Sequence, residues 1–304
     1  MENKTIRIGT RDSELALWQA HTVQNSLENL GYSTTLVPVK SAGDIILDKP
    51  LYELGITGIF TKTLDIAMVN NDIDIAVHSM KDVPTALPNG IVEAAVLERA
   101  NVKDLLLHKG LDFIKGEGTI ATGSLRRQAQ WLHKYPNHTV IDLRGNVNTR
   151  LQKLKNNDWN GAIFAAAGLE RIQLKPENAI ELDWMIPAPA QGAMLVVAKE
   201  KDLFCLEALS HLNHKDSKIC VNIEREFLKE LEGGCTAPIG AIAEIKEEDI
   251  HFTGVLHSLD GQDKIEVNKT VALKNHKDFG KRCAQEVLSN GGIEIMKNIK
   301  ETLQ

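Results

Sequence analysis

Short runs of apolar and β-branched residues alternate along the chain with stretches whose apolar positions recur every three or four residues. That alternation predicts α/β architecture with mostly parallel sheets. A strand is expected over residues 5–9 and a helix over 13–30, with Ser13 as its N-cap and Gly31 as its stop signal. Strands follow at 33–39, 73–78 and 92–97, with a helix at 64–70 between the first two. The pattern then restarts near residue 100, with strands at 119–121, 139–142 and 162–166 and helices at 124–134 and 148–156. Residues 186–198 carry the Pro/Gly punctuation of a crossover followed by a strand that returns to the first lobe. A long helix over 215–231 runs into Gly233-Gly234, antiparallel strands are expected at 237–243, 252–256 and 264–271, and a last helix begins near 277. Three domains result: 1–98 with 194–213, 99–193, and 214–304.

Composition narrows the class of function. With 304 residues, 43% hydrophobic and 25% charged, the chain can bury a substantial core, which excludes a disordered or coiled-coil protein. A formal net charge of −6 disfavours nucleic acid as partner, because neutralising phosphates requires an excess of Lys and Arg, and a small-molecule partner is expected instead. The start of the chain has no secretory h-region and no stretch reaches the length of a membrane span. The four cysteines, Cys205, Cys220, Cys235 and Cys283, show neither CxxC pairing nor zinc spacing, so a cytoplasmic, metal-free protein is expected.

Arginine use is uneven. Only 10 of the 35 basic residues are Arg, yet Arg11, Arg126, Arg127, Arg144, Arg150 and Arg171 all fall at expected strand ends, helix starts or the turns between them. The guanidinium fork binds carboxylate or phosphate bidentately, so several such groups on one cleft would suit a ligand with many anionic groups, although each alone reads more readily as a solvated surface charge or an ion pair with one of the abundant Asp and Glu. Thr122-Gly-Ser-Leu-Arg-Arg127 follows a strand and opens a helix, where hydroxyls, backbone N–H groups and the helix dipole can face an anion. Leu143-Arg-Gly-Asn-Val-Asn-Thr-Arg150 repeats that grammar, or is simply a glycine turn capped by Asn148. Asp82, after the strand ending in His78-Ser-Met-Lys81, suits a proton-transfer or cation-stabilising carboxylate, or a turn-forming residue. Cys235, in Gly233-Gly-Cys-Thr-Ala-Pro238, is a candidate nucleophile or covalent anchor; the other three cysteines fall in helical patterns and read as buried packing residues.

Taken together these segments resemble the hydroxymethylbilane synthase (porphobilinogen deaminase) family. The matching pieces are Arg7-Ile-Gly-Thr-Arg-Asp-Ser13 with Leu15-Ala-Leu-Trp-Gln-Ala20, Asp74-Ile-Ala-Val-His-Ser-Met-Lys-Asp-Val-Pro84, the two arginine motifs above, Ala167-Gly-Leu169 with Arg171, Pro187-Ala-Pro-Ala-Gln-Gly-Ala193, and Glu224-Arg225 leading to Gly233-Gly-Cys-Thr-Ala-Pro-Ile-Gly240. They keep the family's order to about residue 240.

The resemblance implies two lobes built like type II periplasmic binding proteins plus a smaller C-terminal α/β domain. It implies a dipyrromethane cofactor held by a thioether to Cys235, onto which four porphobilinogens are added with loss of ammonia before hydrolysis releases the linear tetrapyrrole. Asp82 matches the catalytic aspartate. Ser79, Lys81, Ser124, Arg126 and Arg127 match cofactor-binding positions, and Arg11, Ser13, Lys62, Arg144, Arg150 and Arg171 match substrate-binding ones. A monomer is expected. One departure stands out: many members carry Gly-Gly-Lys-Gly-Leu-Phe where this chain has Gly55-Ile-Thr-Gly-Ile-Phe60, so Thr57 replaces a loop lysine, while Asp44 and Lys62 still match. Altered loop contacts rather than lost activity are expected. Ala190, where some members have Gly, reads as a minor change. Rival readings are a non-catalytic two-lobed solute-binding protein and an enzyme using Cys235 as a transient nucleophile; the Gly-Gly-Cys domain argues against the first, and the lack of a recognised His and Asn/Asp pattern against the second.

Overall fold

The computed structural model describes residues 4–40, 61–231 and 237–303. In chain order the strands and helices begin with β1 Ile6–Thr10, α1 Glu14–Asn29, β2 Thr34–Pro38, α2 Lys62–Val69, β3 Ile75–Ser79 and β4 Ile91–Val96. They continue with β5 Asp104–His108, β6 Thr119–Ala121, α3 Leu125–Lys134, β7 Thr139–Ile141, α4 Val147–Asn156, β8 Gly161–Ala165, α5 Ala166–Arg171 and β9 Ile180–Glu181. The last are β10 Met194–Lys199, α6 Leu203–Ser210, α7 Lys215–Glu230, β11 Ile239–Lys246, β12 Asp249–His257, β13 Lys264–Ala272, α8 Phe279–Val287 and α9 Ile293–Leu303.

The chain divides into two compact units, which among the described residues comprise 4–40, 61–100 and 192–218, and 101–191, 219–231 and 237–303. The first unit holds a five-stranded sheet of order β2-β1-β3-β10-β4. β1 runs parallel to β2 and β3, and β10 runs antiparallel to both β3 and β4. β3 and β10 are buried on both faces, as their unbroken apolar sequences Ile75-Ala-Val77 and Met194-Leu-Val-Val-Ala198 require of central strands covered by helices. The second unit repeats the plan with order β7-β6-β8-β5-β9, β6 parallel to β7 and β8, and β5 antiparallel to β8 and β9. In each sheet the reversed strand is the one the chain supplies as it arrives from the other unit. A separate antiparallel sheet, β11-β12-β13, completes the second unit. Phe227 of α7, Phe279 of α8 and Ile295 of α9 pack with Phe252 and Val267 of that sheet in one core. Two lobes of the same plan plus a smaller C-terminal α/β domain are therefore observed, as expected.

The differences from expectation are local. β5 went unpredicted because its apolar run, Leu105-Leu-Leu107, is short, does not alternate and opens on a charge, Lys103-Asp104. The last helix is broken in two at Gly291, whose φ of +106° interrupts the helical hydrogen bonding. Asn146, not Asn148, caps α4, since the helix starts one residue earlier than expected and the Asn146 side chain accepts from Thr149 N–H. Cys205, Cys220 and Cys283 are buried, as expected. No helix among the described residues is long and apolar enough to cross a membrane.

Candidate active site

In the first unit, β1 and β3 are parallel neighbours, with Gly9 beside Ala76, so their carboxyl ends emerge side by side. Ligands of open α/β sheets collect at such ends. From β1 the chain passes through buried Thr10, whose hydroxyl donates to Ala16 O at 3.0 Å, then half-buried Arg11, and on to Ser13, which caps α1 by accepting from Ala16 N–H. From β3 it passes through Ser79 into the 3₁₀ turn Met80–Asp82. Met80 is buried beneath that turn and its N–H donates to Ala193 O, while Val83 is buried after it, which leaves Lys81 and Asp82 half-buried at the sheet edge. Gln19, buried on α1, donates to the Ser79 hydroxyl at 3.0 Å and so fixes its position. His78, the residue before, is buried; desolvation and then the Arg11 charge push its imidazole down to about 4, so it is neutral at physiological pH. Lys62 is exposed at the first position of α2.

In the second unit, β6 and β7 are parallel neighbours and each leads through a loop into a helix. Ser124 caps α3 by accepting from Arg127 N–H, as Asn146 caps α4. The two loops touch: a Cβ at Gly123 would lie 2.6 Å from the Leu143 carbonyl oxygen, so only glycine permits the approach. Gly145, at φ +112°, turns the chain after Arg144 under Thr149. Arg144 is buried, Arg150 and Arg171 are half-buried, and burial pushes Arg171 down to about 10. Neither α3 nor α4 has an acidic residue in its first turn, whereas α1 has Glu14, so arginines occupy the electropositive helix ends where carboxylates are the stabilising residues.

Arg126 and Arg127 are bound to Asp104. Arg127 Nε and Nη2 lie 2.9 and 2.7 Å from Asp104 Oδ1, and its Nη1 donates to Ile163 O at 3.0 Å. Arg126 Nη1 lies 2.8 Å from Asp104 Oδ2 and donates to Ile186 O at 2.7 Å. All three side chains are buried. Burial alone would raise Asp104, but the charges of Arg126 and Arg127 outweigh it and hold the carboxylate at about 2. Gln191 Nε2 adds a third N–H to Oδ1 at 3.0 Å. Two cations thus share one anion, and Arg126 Nε is buried with no hydrogen-bond partner among the described residues. Surplus positive charge with capped, electropositive helix ends beside it fits a group carrying several carboxylates, as a dipyrromethane does.

Of the residues expected at the site, Arg11, Ser13, Ser79, Lys81 and Asp82 lie at or just after the carboxyl ends of β1 and β3, and Ser124, Arg126, Arg127, Arg144 and Arg150 lie in the loops and first turns after β6 and β7, whereas Lys62 and Arg171 lie on α2 and α5. Cys235 lies outside the described residues, as do Asp44 and Thr57. Sequence reasoning gave no role to Gln19, Asp104 or Gln191. The signal for Asp104 was an acid at the head of Leu105-Leu-Leu107, because a carboxylate drawn into a core needs a cation beside it.

Residues 6–207 match the family model described as porphobilinogen deaminase, dipyromethane cofactor binding domain, and residues 218–289 match that of the porphobilinogen deaminase C-terminal domain. The chain is 40% identical to a porphobilinogen deaminase of Campylobacter hominis over 97% of this chain and 98% of the relative. It is 39% identical to that of Syntrophotalea carbinolica, over 97% and 96%. Among solved structures it is similar to a methionine binding protein, at 15% identity and a TM-score of 0.46 over 70% of this chain and 91% of the other. The chain belongs to the porphobilinogen deaminase (hydroxymethylbilane synthase) family, transferases that act on porphobilinogen and carry a dipyrromethane cofactor.

Proposed function

We propose that in this synthase Asp82 is the catalytic carboxylate and Cys235 the covalent anchor of the dipyrromethane. Ser79, Lys81, Ser124, Arg126 and Arg127 hold the cofactor, while Arg11, Ser13, Lys62, Arg144, Arg150 and Arg171 take the carboxylates of porphobilinogen and of the growing chain. The observation that carries this reading is Asp82 itself, a half-buried carboxylate at the end of a fully buried central strand, with Lys81 and a fixed Ser79 beside it. The bound dipyrromethane supplies the nucleophilic pyrrole carbon at which porphobilinogen units are added.

Asp82 accepts hydrogen bonds from pyrrole N–H groups and stabilises the positive charge that develops as ammonia leaves the substrate's aminomethyl carbon; this charge stabilisation acts on the transition state. Each porphobilinogen brings an acetate and a propionate, so the lengthening product is a polyanion, and guanidinium forks at the carboxyl edge of the second sheet match those groups in charge and shape. His78, neutral through burial, adds no positive charge beneath Arg11. The division into 1–98 with 194–213, 99–193 and 214–304, a cytoplasmic location and a monomeric state belong to the same reading.

Intact mass spectrometry of the purified chain and of Cys235→Ser, with the colour each gives with Ehrlich's aldehyde reagent, tests it. Two linked pyrrole units are expected on the wild type and none on the variant. A wild type that stays at its bare mass after incubation with porphobilinogen or preformed hydroxymethylbilane overturns it.

A further inference from the structure

Arg126 and Arg127 open α3 at its electropositive end, and the one carboxylate paired with them among the described residues is that of Asp104. Counting donors separates the two arginines. Arg127 uses Nε, Nη1 and Nη2 on Asp104 and Ile163 O, so its plane is fixed by three bonds. Arg126 donates through Nη1 to Ile186 O and meets Asp104 Oδ2 only as an ion pair at 2.8 Å, so that both its buried Nε and Asp104 Oδ2 lack a hydrogen-bond partner among the described residues. Asp104 in turn is held by Gln191, which also donates to Val102 O at 2.7 Å. Asp104 heads the first strand after residue 100 and Gln191 closes the segment before residue 192, so both stand beside the points where the chain passes from one unit to the other. A buried cluster with one net positive charge is costly unless an anion completes it.

We propose that Asp104, steadied by Gln191, is a positioning residue that presets Arg126 and Arg127 as a cradle one negative charge short of neutrality, completed by a single carboxylate of the bound pyrrole chain. This assignment rests on the reading of the second unit's arginines as carboxylate binders. It makes a prediction opposite to that of charge alone. Asp104→Asn leaves two uncompensated cations, which by Coulomb attraction would bind an anion more tightly; if position decides, the same change weakens binding because both guanidinium planes lose their common anchor.

The test is cofactor loading. Full-length apoprotein, refolded and incubated with porphobilinogen, is followed by intact mass for the rate at which the two-pyrrole adduct appears, and the loaded fraction is assayed for KM and kcat. Asp104→Asn is expected to load at least about tenfold more slowly, the size of one lost charge-assisted hydrogen bond, with the loss falling on loading and KM more than on kcat. Asp104→Glu, which keeps the charge, is expected to recover part of the rate. Gln191→Met keeps all three charges and is expected to load about threefold more slowly; it carries the test if Asp104→Asn does not fold. Equal or faster loading by a folded Asp104→Asn, or by Gln191→Met where that variant carries the test, overturns the assignment while the synthase reading stands. A wild type that takes up no pyrrole overturns both.

Discussion

The two five-stranded sheets share a strand plan, and each contains a strand, a short loop and a serine-capped helix, Ser13 on α1 and Ser124 on α3. Yet the edges they present differ in chemistry. The first unit places a carboxylate, Asp82, just after Ser79 and Lys81 at the end of β3, and gives α1 an acid in its first turn. The second has no acid in the first turns of α3 and α4 and draws Asp104 into the core beneath Arg126 and Arg127, while Asp142 lies beside Gly123 within the field of Arg144 and Arg150. On the proposed reading, one scaffold used twice keeps the catalytic carboxylate in the first unit, while carboxylate binding is shared by both and falls in the second on guanidinium groups alone. The difference lies in a few residues at strand ends, where side chains can change without disturbing the buried strands behind them.

If that division of labour is real, substitutions in the two units change different kinetic constants. Asp82→Asn is expected to lower kcat by about a thousandfold, within the range of lost general acid–base or charge stabilisation, with a smaller effect on KM. Arg171→Gln is expected to raise KM by about tenfold, one charge-assisted hydrogen bond, with kcat less affected. Steady-state kinetics on the holo-fraction checks both, and the same kcat-to-KM split for both variants would break the comparison.

Stability contrasts the units next. Asp104 faces two buried guanidinium groups, whereas Asp74 of the first unit pairs with Arg7, whose side chain is 38% exposed. Removing the shared anion leaves two buried cations, so Asp104→Ala is expected to cost about 4 kcal/mol. Asp74→Ala is expected to cost about 1–2 kcal/mol, because water can solvate the released Arg7. Denaturant midpoints at constant m-value decide; equal losses would mean that burial at Asp104 does not matter.

Much of this organisation was legible in the chain. Ser13 as a cap and the glycine turn at Gly145 are local devices, written within a few residues, and were read correctly, whereas Ser124 was read as a helical residue facing an anion and is the cap of α3. Asp104 was not, since its partners lie more than twenty positions away and the strand it heads is too short to declare itself. Nor was the burial of Arg126 and Arg127, because arginines at a helix start look solvent-facing until the tertiary fold brings a carboxylate beneath them. Asn148 was mistaken for the cap because Asn146 is two positions away in the same loop and both suit the role. Gln19 lay in a recognised motif, but its bond to Ser79 spans two elements and no local pattern encodes it.

Among the described residues burial holds one histidine neutral in each unit, His78 and His257, and both contribute to the acid limb of stability; His138 of the second unit is buried as well. In the first unit His78 is pushed down to about 4 by burial and then Arg11; in the second His257 is pushed down to about 3 by burial, then His133 and Lys264. Both folded values lie below the ordinary 6.5, so the unfolded chain binds more protons, and stability is full above about 6.5 and falls as the pH drops toward those values. Each histidine is expected to contribute a slope of about 1.4 kcal/mol per pH unit within its window. Asp104, depressed to about 2, adds a further loss only below about pH 4. His257→Phe is expected to halve the slope between pH 6 and about 4, leaving the His78 part. An unchanged slope in urea unfolding across that range would show that His257 is not held neutral.

The smallest effect expected concerns backbone strain, and here too the units differ. Both hold a non-glycine residue in the left-handed region, Asn71 at φ +61° in the first and Ala190 at φ +62° in the second. Asparagine tolerates that conformation, and Asn71 also accepts a hydrogen bond from Lys199 Nζ through its side chain. Alanine does not, at a cost of about 1–2 kcal/mol. Ala190 remains there because it is fully buried and its N–H donates to the buried Glu224 carboxylate at 2.7 Å, a bond that another backbone conformation would break. Ala190→Gly removes the strain while keeping the N–H, but it also loosens the unfolded chain by about 0.4–1 kcal/mol, so the net gain is expected to be below about 1 kcal/mol. That corresponds to a rise of about 1–3 °C in Tm. Asn71→Gly gains nothing of the kind and loses the Lys199 contact, so its Tm should stay level or fall slightly. A glycine at 190 that lowers Tm would mean that the alanine methyl, packed in the crossover beside Gln191, contributes more than the strain it imposes.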